Sequence, residues 1–309
     1  MTTFNTSNNA FDLSRDCSLV GLEAGLYPWS KKDTTAAAHA AEAEHATADR
    51  FTAYIQRLSK ADRLPPQQIV GEARKVLAFP NGSPWDGKGF FLIPNVRLEK
   101  VLSELEDYRN KFFSAVEELI TKLPELEAKA RADLNGAFDR LGFPTETDLR
   151  ERYKFSIRQS AIVNAGDLRL NHVSPAARQR IEEAIRKEQA EKADAVHRAC
   201  VDGIAAALRR VTDSLPAFSA GQIVRFEDTL ITGLEELTEA LPALNFGKDP
   251  AIDRSLVQIR TLVSKLARAN QDRTLRAKDD RGSEVRKTLA TEAGGILAAL
   301  KSGAVSNRV

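Results

Sequence analysis

Apolar residues recur along this chain at intervals of three and four over long stretches and at intervals of two only in short ones. That pattern predicts long helices with a few strands between them. The clearest helical run places Leu98, Leu102, Leu105, Tyr108, Phe112, Val116, Leu119 and Leu123 on one face, with Asn95 as the expected N-cap. Pro124 interrupts it by removing a backbone donor and crowding the preceding turn, and the helical pattern resumes to about Arg140. The longest run opens at Ser174-Pro175, a cap followed by proline at the first helical position, and meets no further proline until Leu215-Pro216. Its middle, residues 186–194, has no large apolar residue and is expected to be solvated on every side, as an arm or a bridge. The apolar stripe returns at Val196, Ala199/Cys200, Ile204, Leu208, Val211 and Leu215. Three more helices are predicted at about 225–241, 250–277 and 283–301; Asp249-Pro250 starts the second of these and Gly303 stops the last.

Strand signals are confined to the first half. Val20, Leu22, Ala24 and Leu26 alternate with polar or small residues. Phe90-Phe91-Leu92-Ile93 is a short apolar run between the turn-rich loop Phe79–Gly89 and Pro94. Phe155, Ile157, Gln159 and Ala161 alternate with Ser156, Arg158 and Ser160. Asp33-Thr34-Thr35 offers caps for an alanine-rich helix from about Thr34 to Lys60, stopped by Leu64-Pro65-Pro66, after which a shorter helix covers 66–78. Thr145 and Asp148 have the spacing of a capping box. The expected fold is mainly α: an elongated helical body with long helices and a small antiparallel β-sheet. Its expected organisation is a disordered N-terminal arm (1–16), an α+β region with the sheet and a long helical hairpin (17–172), the long helix with the one after it (173–247), and a basic C-terminal helical region (248–309).

Composition sharpens this only in places. The 309 residues carry a net charge of +2, which excludes a global polyanion-binding signature. Residues 248–309 hold 13 Lys/Arg against 7 Asp/Glu, so a basic region adjoins a mildly acidic body. Two cysteines, Cys17 and Cys200, are too few for a disulfide framework and suit a reducing cytosol. No apolar run approaches the roughly 20 residues that span a bilayer, and the N-terminus lacks the basic start and apolar core of a signal peptide. The expectation is a soluble, cytoplasmic protein without membrane contact.

Candidate chemistry is sparse. His39 and His45, with Glu42 between them, lie about 120° apart on a helix, whereas a zinc-protease pair sits four residues apart on one face. His172, His197 and the two cysteines have no companion at ligand or nucleophile spacing. The glycine-rich loop ends in Gly87-Lys88-Gly89 and leads into a strand, unlike a phosphate-binding loop that opens a helix. No Gly-x-Ser-x-Gly elbow is present. No catalytic residue, metal or cofactor is therefore assigned, and the protein is read as a non-enzyme. Trp29 and Trp85 adjoin prolines at strand boundaries, where they either cap the sheet or anchor a partner peptide. On the helix after Pro250, Arg254, Lys265, Arg268 and Arg276 fall opposite the apolar face over about 33 Å, a stripe able to follow a phosphate backbone. No aromatic residue interleaves with them to stack on bases.

Several landmarks together carry a family resemblance. They are Trp29-Ser30-Lys31-Lys32 closing the first strand, Gly89-Phe-Phe-Leu-Ile-Pro94 leading into a long helix, and Phe143-Pro144 followed by Leu149-Arg150 and Lys154-Phe155. Over roughly residues 18–215 the chain resembles an uncharacterised family of bacterial and tailed-phage proteins. Members are helical and coiled-coil-bearing, and some are encoded near MoxR-type AAA+ ATPases and von Willebrand A-domain proteins. The resemblance implies an adaptor or accessory subunit with an AAA+ ATPase among its candidate partners, and implies no site residue. The functional expectation is a phage or prophage scaffold or adaptor that presents long helices to protein partners, with self-association through helices 96–123 and 196–215. The alternative is a nucleic-acid-associated phage protein that binds through the basic C-terminal helix.

Overall fold

The computed structural model describes residues 13–87, 89–164, 173–219, 229–245, 248–277 and 279–306. The remaining positions include His172, Lys88 and residues 1–12 of the expected N-terminal arm, so these expectations lie outside the described residues. In chain order the elements begin with α1 (Leu13–Asp16), β1 (Cys17–Gly25), β2 (Ser30–Lys32), α2 (Thr34–Ala43), β3 (Tyr54–Gln56) and α3 (Lys60–Leu77). There follow β4 (Ser83–Pro84), β5 (Phe90–Pro94), α4 (Asn95–Thr121), α5 (Leu123–Leu134), α6 (Phe138–Leu141), α7 (Glu146–Arg152) and β6 (Lys154–Ser160). The rest of the described chain is α8 (Pro175–Ser219), α9 (Thr229–Leu244), α10 (Pro250–Gln271) and α11 (Asp280–Ser306).

Helix accounts for 72% of the structure, which makes the fold mainly α, with a small antiparallel sheet in the strand order β4-β5-β1-β6. β2 and β3 form a separate antiparallel ribbon that pairs Ser30 with Gln56 and Lys32 with Tyr54. Among the described residues no helix is long and apolar enough to cross a membrane.

The chain divides into two compact units, each discontinuous in sequence: residues 1–20, 77–99 and 159–309 in one, and 21–76 and 100–158 in the other. In the first unit α8, α9, α10 and α11 pack in sequence, and α11 closes back on α8. The expected boundary between residues 247 and 248 therefore falls inside one helical bundle. Its core runs through Val196, Ile204, Leu208, Val211 and Leu215 of α8, Leu234, Leu237 and Leu241 of α9, Ile259 and Leu266 of α10, and Ala293 and Leu300 of α11. Leu13, Cys17 and Leu19 at the start of the chain and Leu92 of β5 belong to the same core.

The second unit is built on the apolar face of α4. Val101, Leu105, Phe112, Val116 and Leu119 are buried, and the ring of Phe112 meets Phe155 and Tyr153 at centroid distances of 5.4 and 6.0 Å. Thr145 and Asp148 form the expected capping box, with Asp148 N donating to Thr145 Oγ1 at 3.2 Å and Thr145 N to Asp148 Oδ2 at 2.8 Å.

Four expectations fail for local reasons. The alanine-rich helix ends at Ala43, not Lys60, because His45 takes a left-handed φ of 52° and only Ala37 and Ala41 are buried to hold the helix down. α3 starts at Lys60, where Ser59 Oγ accepts from Asp62 N at 3.3 Å, and it runs through Pro65-Pro66. Proline's fixed φ is itself helical, so the cost is two missing backbone donors rather than a break. In the same way α8 continues past Pro216 and α9 past Pro242, and α11 continues through Gly303. Finally, Asn95 is not a cap: its Oδ1 accepts from Ser18 Oγ at 2.8 Å and its Nδ2 donates to the carbonyl of Arg15 at 2.8 Å, tying α4 to the chain start.

Candidate functional site

α8 is 45 residues long and changes character along its length. From Val196 onward its stripe is core. Residues 175–188 contain no fully buried side chain, and Ile181 is 37% exposed. Pairs one turn apart reinforce this stretch: Arg178 Nε to Glu182 at 3.0 Å, Gln179 Nε2 to Glu183 at 2.8 Å, and Arg186 to Glu182 at 3.7 Å. Such pairs each contribute about 0.2–0.5 kcal/mol to a helix that packing does not support. Ala177, Ile181, Ala184 and Ile185 lie among these charges at spacings of three and four.

The polar middle of α8 is not solvated on every side, contrary to expectation. Lys192 donates to the carbonyl oxygen of Trp85, and its ammonium lies 5.3 Å from the Trp85 ring centroid. Gln189 Nε2 donates to the carbonyl of Val163 at 2.8 Å, and Ala193 packs on the core. A lysine here satisfies a loop carbonyl and lays its stem along an indole, so a charged residue performs a packing role.

The two tryptophans are therefore committed internally. Trp85 is half-buried against the bundle core, and its backbone N–H donates to Phe90 O at 2.8 Å. Trp29 is 4% exposed, and its Nε1 donates to the Tyr153 hydroxyl at 2.9 Å. Trp29 is not a surface anchor for a partner. Most of the apolar stripe expected to mediate self-association is covered from within the chain, since Val101, Leu105, Phe112, Val116 and Leu119 of α4 and Ile204, Leu208, Val211 and Leu215 of α8 are buried, whereas Val96 and Phe113 of α4 stay exposed.

The four expected cations do not form one stripe. Arg254, Lys265 and Arg268 are exposed on α10, but the helix ends at Gln271, and Arg276 lies beyond a left-handed residue, Arg273, with φ of 58°. Lys265 is ion-paired with Glu292 of α11 at 2.7 and 2.8 Å, Arg268 approaches Asp272 at 4.0 Å, and Arg254 Nε donates to Pro250 O at 3.1 Å. Arg276 instead lines a cleft of about 510 Å³ with Asn270, Gln271 and Arg273. Arg273 is not among the expected cations, and the polar run Asn270-Gln271-Asp272-Arg273 is the one signal for it in the sequence.

Two further polar features hold the bundle's connections. Asp249 caps α10 by accepting from Ala251 N at 2.7 Å, and Asn245 spans the α9–α10 turn by donating to Asp253 Oδ1 at 2.8 Å while accepting from Asp249 N at 2.9 Å. His197 Nε2 lies 3.5 Å from Asp249 Oδ2. Arg286, 2% exposed, donates to the carbonyls of Leu275 and Ala277 at 2.9 and 2.7 Å and so holds the α10–α11 connection from beneath.

The thiols are poor nucleophiles. Burial pushes Cys17 and Cys200 up to about 12, with the Asp16 carboxylate adding to the effect at Cys17, so both remain protonated near neutrality. On the other unit, Arg150 bonds to Glu117 and Glu146 and holds the Glu117 carboxyl below its ordinary range. Both ion pairs are exposed; the one to Glu117 joins α7 to α4 and the one to Glu146 lies within α7. Among the described residues no group of three or more His, Cys, Asp or Glu side chains is arranged to hold a metal. Comparison of the chain with family models, curated proteins and solved structures yields no match.

Proposed function

We propose that this protein is a non-catalytic scaffold or adaptor of phage or prophage type that presents helix to protein partners. The observation that carries this reading is the division of α8 into a packed half beginning at Val196 and an uncovered, charge-laced stretch over 175–188. A helix of that length is marginal in water alone; here it continues a helix anchored in a bundle, which supplies the nucleus. The matching partner is another helix whose apolar side chains meet Ala177, Ile181, Ala184 and Ile185, with charges set against Arg178, Glu182 and Arg186. The family resemblance adds an AAA+ ATPase as a candidate partner and a bacterial cytoplasm as the setting.

The test is Ile181→Glu/Ile185→Glu in the full chain, with partner recovery from native cells compared at matched thermal stability. The expected result is loss of complexes held by the wild type. Equal recovery by the variant removes this stretch as the presenting surface.

A second reading, association with nucleic acid, is favoured by the shared exposure of Arg254, Lys265 and Arg268 on α10. It predicts anisotropy-detected binding of DNA or RNA that weakens with salt and with reversal of Arg254, Lys265, Arg268 and Arg276 to glutamate. Binding unchanged by that quadruple substitution excludes these residues.

A further inference from the structure

We infer that the cleft at the end of α10 is a binding site for the phosphate group of a small phosphorylated ligand or nucleic-acid end, held by Arg273 and Arg276. This site is independent of the uncovered stretch of α8; it shares Arg276 with the nucleic-acid reading, from which an Arg254→Gln control on the α10 face separates it.

Its four lining residues are Asn270, Gln271, Arg273 and Arg276, two guanidinium groups and two carboxamides with no carboxylate among them. Guanidinium forks match the geometry of phosphate oxygens and bind them through charge-assisted pairs. Carboxamides carry a donor and an acceptor side by side, which suits polar groups attached to the phosphate. The volume, about 510 Å³, falls within the range of small-molecule sites and exceeds what a bare oxyanion fills.

The backbone around the cleft answers the main objection. A helix C-terminus repels anions through its uncapped carbonyls. Here Arg268 O accepts from Asp272 N at 2.9 Å, Ala269 O from Thr274 Oγ1 at 3.0 Å, and Asn270 O from Arg273 N at 3.0 Å. The terminal carbonyls next to the cleft are thus occupied, and their repulsion is blunted. The loop is also held in place: Leu275 is fully buried, and Arg286 ties the carbonyls of Leu275 and Ala277 from below. A cleft on a fixed loop gives up little ordering entropy on binding.

Arg273 adds an independent indication. It stands at φ 58°, ψ 11°, a left-handed conformation that favours glycine or asparagine and strains a residue with a Cβ. Arg273 in that conformation lines the same cleft as Arg276.

The test is calorimetric titration of the full chain at low and near-physiological salt with three probes: inorganic phosphate, ADP, and a 5′-phosphorylated oligothymidylate. Arg273→Asn/Arg276→Gln is compared with wild type; asparagine tolerates the left-handed turn, and matched thermal melts control for the fold. The expected result is binding of at least one probe, weakened at least tenfold in the double variant and by added salt, and unaffected by Arg254→Gln. Binding of phosphate or ADP identifies a small free ligand, whereas binding of the oligonucleotide alone identifies a nucleic-acid end, and either supports the site. No binding of any probe at low salt, or equal binding by wild type and double variant, overturns it.

Discussion

The indole Nε1 of Trp29 donates a 2.9 Å hydrogen bond to the hydroxyl of Tyr153, joining two residues 124 positions apart inside the smaller unit's aromatic core. Trp29 also meets Tyr27 and Phe143 at ring-centroid distances of 4.9 and 6.1 Å, so the indole is enclosed as well as bonded. Tyr153→Phe keeps the ring and removes the acceptor, leaving a buried N–H unsatisfied. The expected loss is about 1–3 kcal/mol, read from the urea midpoint. A change within a few tenths of a kcal/mol indicates that the indole finds another acceptor.

Much of this core could be anticipated, and some could not. The face of α4 was legible because Leu105, Phe112, Val116 and Leu119 repeat at three and four, and α10 because Asp249-Pro250 marks its start and Ile252, Leu256, Ile259 and Leu266 follow at helical spacing. The β2–β3 ribbon was not, because Ser30-Lys31-Lys32 and Tyr54-Ile55-Gln56 are mostly exposed three-residue strands without apolar alternation. The end of α2 depends on the backbone of His45, which no periodicity reports. Polar residues doing packing work were missed for a related reason: Lys192 on Trp85 and Arg286 under the α10–α11 connection read as surface charges until tertiary structure buries them. The cleft needs Arg273 and Arg276 brought together by a left-handed turn, so sequence placed only Arg276, and on the wrong element.

Gly203 of α8 faces Phe79, and a Cβ added at Gly203 would overlap the Phe79 ring. Gly203→Ala is therefore expected to destabilise the larger unit by about 1–3 kcal/mol, although alanine is the better helix former. Thermal unfolding of Gly203→Ala and Gly203→Ala/Phe79→Leu checks this, with the second change restoring part of the loss. An unaltered or raised melting temperature for Gly203→Ala alone contradicts the close approach.

Cys17 and Cys200 make stability depend on alkaline pH with a definite sign. Each thiol titrates near 9.0 when unfolded and near 12 when buried. The unfolded chain therefore loses protons first, so this contribution is fully present below pH 9 and declines as pH rises toward 12. Tyr153 acts in the same direction, since burial raises its phenol above 10.0. Urea midpoints measured from pH 8 to 11 are expected to fall less steeply for Cys17→Ala/Cys200→Ala than for wild type. Parallel curves contradict the assignment.

Asp249 caps α10 while Asn245 fastens the turn before it, and both are buried. Asp249→Ala is expected to cost about 0.5–2 kcal/mol from the lost cap. Asn245→Ala should cost about 1–3 kcal/mol by leaving the Asp249 N–H without its acceptor. Because the two share one network, the double variant is expected to lose less than the sum of the singles. Strict additivity, measured by chemical denaturation, contradicts that coupling.

Residues 175–188 of α8 are proposed to present a helical face to a protein partner. The most direct measurement is site-specific photocrosslinking in native cells, with a photoreactive amino acid at Ile181 and, as a more exposed apolar control, at Val257 of α10. The expected result is a discrete protein adduct from position 181, weaker or absent from position 257, and mapped on the partner to a helical segment. No adduct at 181, or the same diffuse set of adducts at both positions, contradicts it.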